Sequence, residues 1–420
     1  MFTSARRGAL TALGAAAALA LTLTACSSGG AGAAGTTPTP VATAGADISG
    51  TVTFWHAYSA DSPEVKTLET VLIPKFEQAH PKVKVDAVAV PYDQLHQKLV
   101  TAVAGDTLPD LVRSDIMWVP ELANLGVLVP LDQQLPDFST FAGQVYPGAL
   151  ATNAYKGHYY GLPLDTNTRV LLYNSDALAK AGITAAGVST FADNSTSGWN
   201  VLPWIWSAGG AVTDDKVTKA TGYLNSAKSV AGVQLLVDLY QQKAIPDIIL
   251  GGTGGTATSD GLATGAYGTI LDGPWMYPIF QSQYPDFKLQ AAPMPSGPGG
   301  SVSVVGGESV VMTQSSKNKD AAAEFMRFLL SQDSQYEMAK VGQMSVLSAL
   351  GDKLVGINAY YAPFVKQLAN AQPRTPTPAW PKIDDILKAQ IQKALQGEPV
   401  QQALDEAAAQ IDPLLAQYAG

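Results

Sequence analysis

One cysteine, Cys26, is all that this 420-residue chain contains. A single thiol excludes an internal disulfide and any multi-cysteine metal site, so stability must come from core packing. Histidine is also scarce. His56, His80, His96 and His158 form no His-x-x-x-His pair, so the usual zinc spacing is missing and no metal is expected. Cations are outnumbered, 26 Lys+Arg against 35 Asp+Glu for a net charge of −9, and no basic block occurs. That speaks against a nucleic-acid partner. No stretch after residue 25 is long and apolar enough to span a bilayer. The doublets Gly251-Gly252 and Gly254-Gly255 lack the Gly-Lys-Ser/Thr ending of a phosphate-binding loop. No cofactor is expected.

What is present begins at the N-terminus. Arg6 and Arg7 precede an apolar run, Ala9 to Leu23, that ends in small residues before Cys26. This is the order of an export signal, residues 1–25. The ending Leu23-Thr24-Ala25-Cys26 resembles the lipobox of bacterial lipoproteins. The resemblance implies that Cys26 is lipidated and holds an extracytoplasmic protein to the cell membrane. Residues 27–48 are mostly Gly, Ala, Ser, Thr and Pro. Such a segment buries too little to offset its chain entropy, so 26–48 reads as a lipidated cysteine and a disordered tether.

From Ser49 onward, strand and helix patterns alternate, with length enough for two to three domains. Thr51–Trp55 reads as a buried strand. Ser62-Pro63 reads as a helix start, followed by Val65, Leu68, Leu72 and Phe76 at helical spacing. Pro74 predicts a kink or a break in that helix. Val83–Val90 is a second strand, Tyr92–Ala104 a helix, Asp110–Val112 a strand and Trp118–Leu125 a helix. Later come strands at Val170–Tyr173, Thr269–Leu271 and Ser309–Thr313, and two C-terminal amphipathic helices parted by Gly397-Glu398-Pro399. Alternation of this kind predicts an α/β protein with a parallel sheet covered by helices on both faces. Ligands of such sheets bind beyond the carboxyl ends of the strands. The candidates there are His56 and Tyr58, Asp115 and Trp118, Asp165 and Arg169, Asp272 and Trp275, and Gly307 and Glu308.

The motif order resembles the extracellular solute-binding proteins of ABC importers, in particular the sugar-binding group typified by maltose-binding protein. Val52-Thr53-Phe54-Trp55-His56 is similar to the family's opening strand. Phe76-Glu77-Gln78-Ala79-His80-Pro81, Leu108-Pro109-Asp110-Leu111, Asp272-Gly273-Pro274-Trp275 and Gly306-Gly307-Glu308-Ser309 follow in family order, with Asp272 in place of the usual Asn. The resemblance implies a two-lobed, periplasmic-binding-protein-like (type II) fold with a hinge and a central ligand cleft. It places one lobe at 49–163 plus 292–333 and the other at 164–291 plus 334–420, with crossings near 162–169, 288–295 and 331–336. After Ala181-Gly182-Ile183 the family's next helix is absent. The second lobe is therefore either trimmed or filled by an irregular stretch at 184–197.

In that family a monomer captures a carbohydrate and delivers it to the transmembrane permease. Sugars offer apolar C–H faces and rings of hydroxyls, which suit aromatic platforms and ionised planar groups. Trp275 and Trp206 are the favoured platforms, with Trp118 a third; the competing role is core packing for Trp275 and a surface cap at a helix start for Trp118. Asp165, Asp272 and Glu308 would accept hydroxyls, while Arg169 and Arg374 would donate. The competing role for Asp165 and Arg169, four apart, is a local ion pair. A secreted glycoside hydrolase is the alternative, and would need two facing carboxylates such as Asp165 and Asp272. Tyr159-Tyr160 and Tyr360-Tyr361 carry a weaker suggestion of an iron site. If Cys26 is the anchor, Cys26→Ser should move the protein from the membrane fraction to the medium or periplasm on cell fractionation. Retention in the membrane would place the anchor elsewhere.

Overall fold

Two sheet systems with separate cores organise the chain. The computed structural model describes residues 47–60, 62–180, 192–251, 255–351 and 353–418. The export signal, Cys26, nearly all of the tether and residues 184–191 lie outside the described residues. Among the described residues no helix is long and apolar enough to cross a membrane.

The first lobe is built on a five-stranded sheet. Its order is Val83–Ala89, Gly50–His56, Leu111–Asp115, Glu308–Met312 and Gly161–Pro163. The first three strands are parallel. Glu308–Met312 runs antiparallel to both of its neighbours, so Gly161–Pro163 points the same way as the first three. The expected all-parallel sheet is therefore mixed. Its one reversed strand, Glu308–Met312, follows a chain passage between the lobes, where no local strand–helix–strand unit dictates direction. Val52, Phe54, Leu68, Leu72, Phe76, Val310 and Phe325 form its principal core.

Local signals act as physics requires. Ser62 caps the helix Pro63–Thr67 by accepting a hydrogen bond from the Val65 amide at 3.3 Å. The helical rod does not break at Pro74. It widens into a π turn over Leu68–Leu72 and resumes as Ile73–Ala79. The Ile73 amide reaches back to the Leu68 carbonyl, a five-residue step that accommodates a ring unable to donate. Asp110, just before its strand, accepts from the Thr53 amide at 2.9 Å and from Ser316 Oγ at 2.5 Å. One carboxylate thus ties the first strand to the turn leading into helix Lys319–Leu329.

The second lobe holds two three-stranded sheets. One runs Leu289–Ala292, Val170–Asn174, Thr269–Asp272, and is antiparallel throughout. The other runs Ala371–Pro373, Ser303–Gly306, Asn167–Thr168. Helices Gly198–Ser207, Ala227–Gln241, Trp380–Leu395 and Val400–Ala416 pack around Leu202, Ile205, Leu236, Leu387 and Ile411. Gly397, at φ 112°, turns the chain between the last two helices.

The chain passes between lobes at three places. The first lies between strands 161–163 and 167–168, the second at the 306–308 step. The third spans roughly 338–354, where Met338 and Val346 enter the first core and Ala339, Met344 and Leu354 the second. The second passage comes later than position 292, because Met294, Val302 and Val304 are already committed to the second lobe's core. Beyond the described gap, Ala192 pairs with Ile270 and Thr196 Oγ1 donates to the Lys388 carbonyl. Residues 192–197 are thus an irregular stretch seated against the strand Thr269–Asp272 and the helix Trp380–Leu395. Replacing Asp110 with Ala removes these two partly buried bonds, and should cost about 2 kcal/mol in urea unfolding. An unchanged midpoint would show that this tie is not structural.

Candidate functional site

The strand Leu111–Asp115 turns from apolar to ionic along its length. Leu111 and Val112 enter two different cores, and Arg113, Ser114 and Asp115 follow, all buried. A buried ion needs partners. Here they come from the passages and from the other lobe.

Asp115 faces the second lobe. Arg374 Nη2 meets both its carboxylate oxygens, at 2.9 and 3.1 Å. The Tyr92 hydroxyl donates to it at 2.5 Å and the Met117 amide at 2.7 Å. Arg374 directly follows the strand Ala371–Pro373, so this ion pair spans the seam. Its guanidinium lies 5.7 Å from the centre of the Trp199 ring. Trp118 packs on Tyr92 and His96 at 5.4 and 5.2 Å.

Arg113 faces the passages. Its Nη2 lies 3.0 Å from Asp165, 2.8 Å from Glu308 and 3.2 Å from Gln343 Oε1. The Tyr58 ring sits beneath it at 4.1 Å. Burial pushes the Glu308 carboxyl well above the usual range, with Arg113 opposing and Asp165 adding to the push. Gly307 separates the two passages. A Cβ there would collide with the Asp165 carbonyl, and its φ of 142° favours glycine.

The second-lobe wall is aromatic and acidic. Trp199 lies 6.4 Å from Trp275 at 31°, and 5.9 Å from the Arg169 guanidinium. Asp272 accepts from the Gly273 amide at 2.8 Å, and burial raises its carboxyl to about 6. Asp384 accepts from the Gly198 amide, and burial raises it likewise to about 6.

The seam thus gathers Tyr58, Asp115, Asp165, Glu308 and Arg374, with Trp118 behind Tyr92, Gly307 as spacer, and Asp272 and Trp275 on the second-lobe wall. Three candidates are placed inside the lobes instead. His56 is fully buried between Phe54 and Tyr58, with both ring nitrogens unpartnered. Burial, aided by Arg113, depresses its pKa to about 4, so the ring is neutral. Trp206 packs in the second core. Arg169, 1% exposed, binds Asp193 at 2.8 Å and the carbonyls of Trp199, Asn200 and Leu271. The pairing Asp165–Arg169 is replaced by Asp165–Arg113 and Asp193–Arg169. Sequence reasoning did not single out Arg113, Trp199, Tyr92, Asp193 or Asp384. Arg113 had a usable signal, a cation within a strand that is otherwise buried.

Two lobes on separate sheets, three passages and a charged seam define a two-lobed α/β binding protein. The chain belongs to the bacterial extracellular solute-binding protein family, whose model matches residues 72–350. A putative binding protein of Brucella abortus is 28% identical over 382 residues, covering 81% of this chain and 88% of the relative. The arabinooligosaccharide-binding protein of Bacillus subtilis is 26% identical over 268 residues, covering 59% and 62%. An uncharacterized lipoprotein of Streptomyces antibioticus is 26% identical and covers 70% of each chain. Among solved structures, the GacH receptor of Streptomyces glaucescens, crystallised unliganded and with acarbose, matches with TM-score 0.79 at 25% identity, over 88% of this chain and 99% of that one. Maltose-bound MalE3 of T. maritima shares the fold at TM-score 0.75 and 24% identity, over 87% and 99%.

The raised carboxyls have a pH consequence. A carboxyl whose folded pKa is raised contributes stability present below its unfolded pKa, about 4, and lost as pH rises through its folded value, here about 6. Asp384→Asn keeps the acceptor for Gly198 and removes the titration. It should gain on the order of 1 kcal/mol at pH 7 and nothing at pH 4. A gain that does not depend on pH would contradict the assignment.

Proposed function

We propose that this protein captures a di- or oligosaccharide between its two lobes and delivers it to the transmembrane subunits of an ABC permease, as a monomer tethered to the membrane through lipidated Cys26. The observation that carries this reading is the composition of the seam. Planar carboxyl and guanidinium groups (Asp115, Asp165, Glu308, Arg374) meet there with aromatic faces (Tyr92, Trp199, Trp275). Hydroxyls bind the first kind strongly, and sugar C–H faces lie on the second. Asp115 and Arg374 come from opposite lobes, so a ligand touching both favours the closed arrangement over the open one. That difference in population is the signal a permease reads.

Several relatives support the reading. The Bacillus subtilis relative is an arabinooligosaccharide-binding protein, and the Streptomyces glaucescens receptor was crystallised with acarbose. The Streptomyces antibioticus relative is a lipoprotein, in keeping with the Leu23-Thr24-Ala25-Cys26 ending. The seam also disfavours hydrolysis. Asp165, one of the two carboxylates that hydrolysis would need, is buried and held by Arg113 at 3.0 Å.

A thermal-shift screen with maltotriose, acarbose and an arabino-oligosaccharide tests the proposal. At least one should raise the melting temperature, with no release of reducing ends. Trp275→Ala should weaken that ligand roughly tenfold, about 1.4 kcal/mol, and leave the fold intact. A panel giving no shift would overturn the sugar reading, and unchanged affinity in the variant would remove Trp275 from the site.

A further inference from the structure

Resting on the sugar-capture reading, we infer that Arg113 is the positioning residue of the cleft: its guanidinium fixes Asp165 and Glu308 in place, offsets the cost of ionising them as hydroxyl acceptors, and joins both to the third passage through Gln343.

Each passage between the lobes supplies one of its partners. Asp165 lies on the first, between strands Gly161–Pro163 and Asn167–Thr168. Glu308 opens the strand Glu308–Met312 on the second. Gln343 lies on the third, beside Met344, whose carbonyl accepts from the Thr166 amide at 3.0 Å. All three partners converge on one nitrogen, Nη2, of a side chain that is 5% exposed. The strand Leu111–Asp115 belongs to the first lobe's sheet, so this contact fixes the passages to that lobe.

The two carboxylates are neighbours. The Glu308 amide donates to Asp165 Oδ1 at 3.3 Å. Both carboxylates also bind the same Nη2, at 3.0 and 2.8 Å, and two buried like charges sharing one site do not both ionise without a cation. A protonated carboxyl exchanges an acceptor for a donor, and so changes which hydroxyls it satisfies. The other groups around the guanidinium are the Tyr58 ring below it, Glu64 behind Gln343 Nε2 at 3.3 Å, neutral His56 and, on the same strand, Asp115. Among these, Asp115 is paired with Arg374 and Glu64 is itself pushed up by burial. No second cation bonds to either Asp165 or Glu308 among the described contacts.

The test uses the full chain and the variants Arg113→Gln, Arg113→Lys and Arg113→Gln with Glu308→Gln. Without ligand, melting temperature is measured from pH 5 to pH 8. Arg113→Gln should lose stability more steeply than wild type as pH rises, because a raised buried carboxyl resists ionisation. Adding Glu308→Gln should restore most of the loss, since removing both partners costs less than removing one. Arg113→Lys supplies charge without the planar fork and should fall between. Calorimetric titration with maltotriose, or with whichever panel sugar binds wild type, should show at least a tenfold loss for Arg113→Gln and partial rescue by Arg113→Lys. A pH profile parallel to wild type together with unchanged affinity would overturn the inference. Should Arg113→Gln fail to fold, a wild-type pH slope and affinity in Arg113→Lys would overturn it equally. If no sugar binds wild type, the sugar reading fails, and the ligand-free pH profiles still decide whether Arg113 controls the two carboxylates.

Discussion

The burial of charge on the strand Leu111–Asp115 constrains everything around it. Arg113 and Asp115 are about 5% exposed, and an unpaired ion at that depth costs several kcal/mol. Of their ion-pair partners, only Glu308 comes from the first lobe's own sheet. Asp115 meets Arg374 from the second lobe, and Arg113 meets Asp165, Glu308 and Gln343 on the passages. The seating of the strand Ala371–Pro373 beside the first lobe and the pairing of Asp115 are therefore one condition. Breaking either exposes the other.

Around that ionic seam the backbone is arranged for close approach. Gly306 and Gly307 bring the second passage against the first. A side chain at Gly306 would collide with Asn167 and with the Trp199 ring. Trp199 is thereby held between two guanidiniums, those of Arg169 and Arg374, with Trp275 beside it. Arg169 works from behind, binding Asp193 and three backbone carbonyls. It supports the wall and leaves the wall's face to the aromatic rings.

Much of this was legible in the sequence wherever the determinant was local. The first strand, the Ser62 cap, the C-terminal helix pair and most other elements follow from periodicity and capping. The Pro74 distortion was legible as a disturbance, but not as a π turn, because its form depends on what packs against Leu68 and Leu72. Partner choice was less legible. Asp165 and Arg169 are four apart, a spacing that suggests a pair, yet each finds its partner across the fold. His56 and Trp206 sit near strand ends or glycines, as ligand contacts would, but are consumed by packing. Periodicity reports that a side chain is buried, not what it meets there. The mixed sheet has the same origin, since strand direction after a lobe crossing is set by the return path and not by the strand's own residues.

The most direct test of the central claim is small-angle X-ray scattering of the full chain with and without a saturating sugar that raises its melting temperature. The bound form should have the smaller radius of gyration, because a ligand contacting Asp115 and Arg374 would hold opposite lobes together. Tight binding with an unchanged radius of gyration would contradict it.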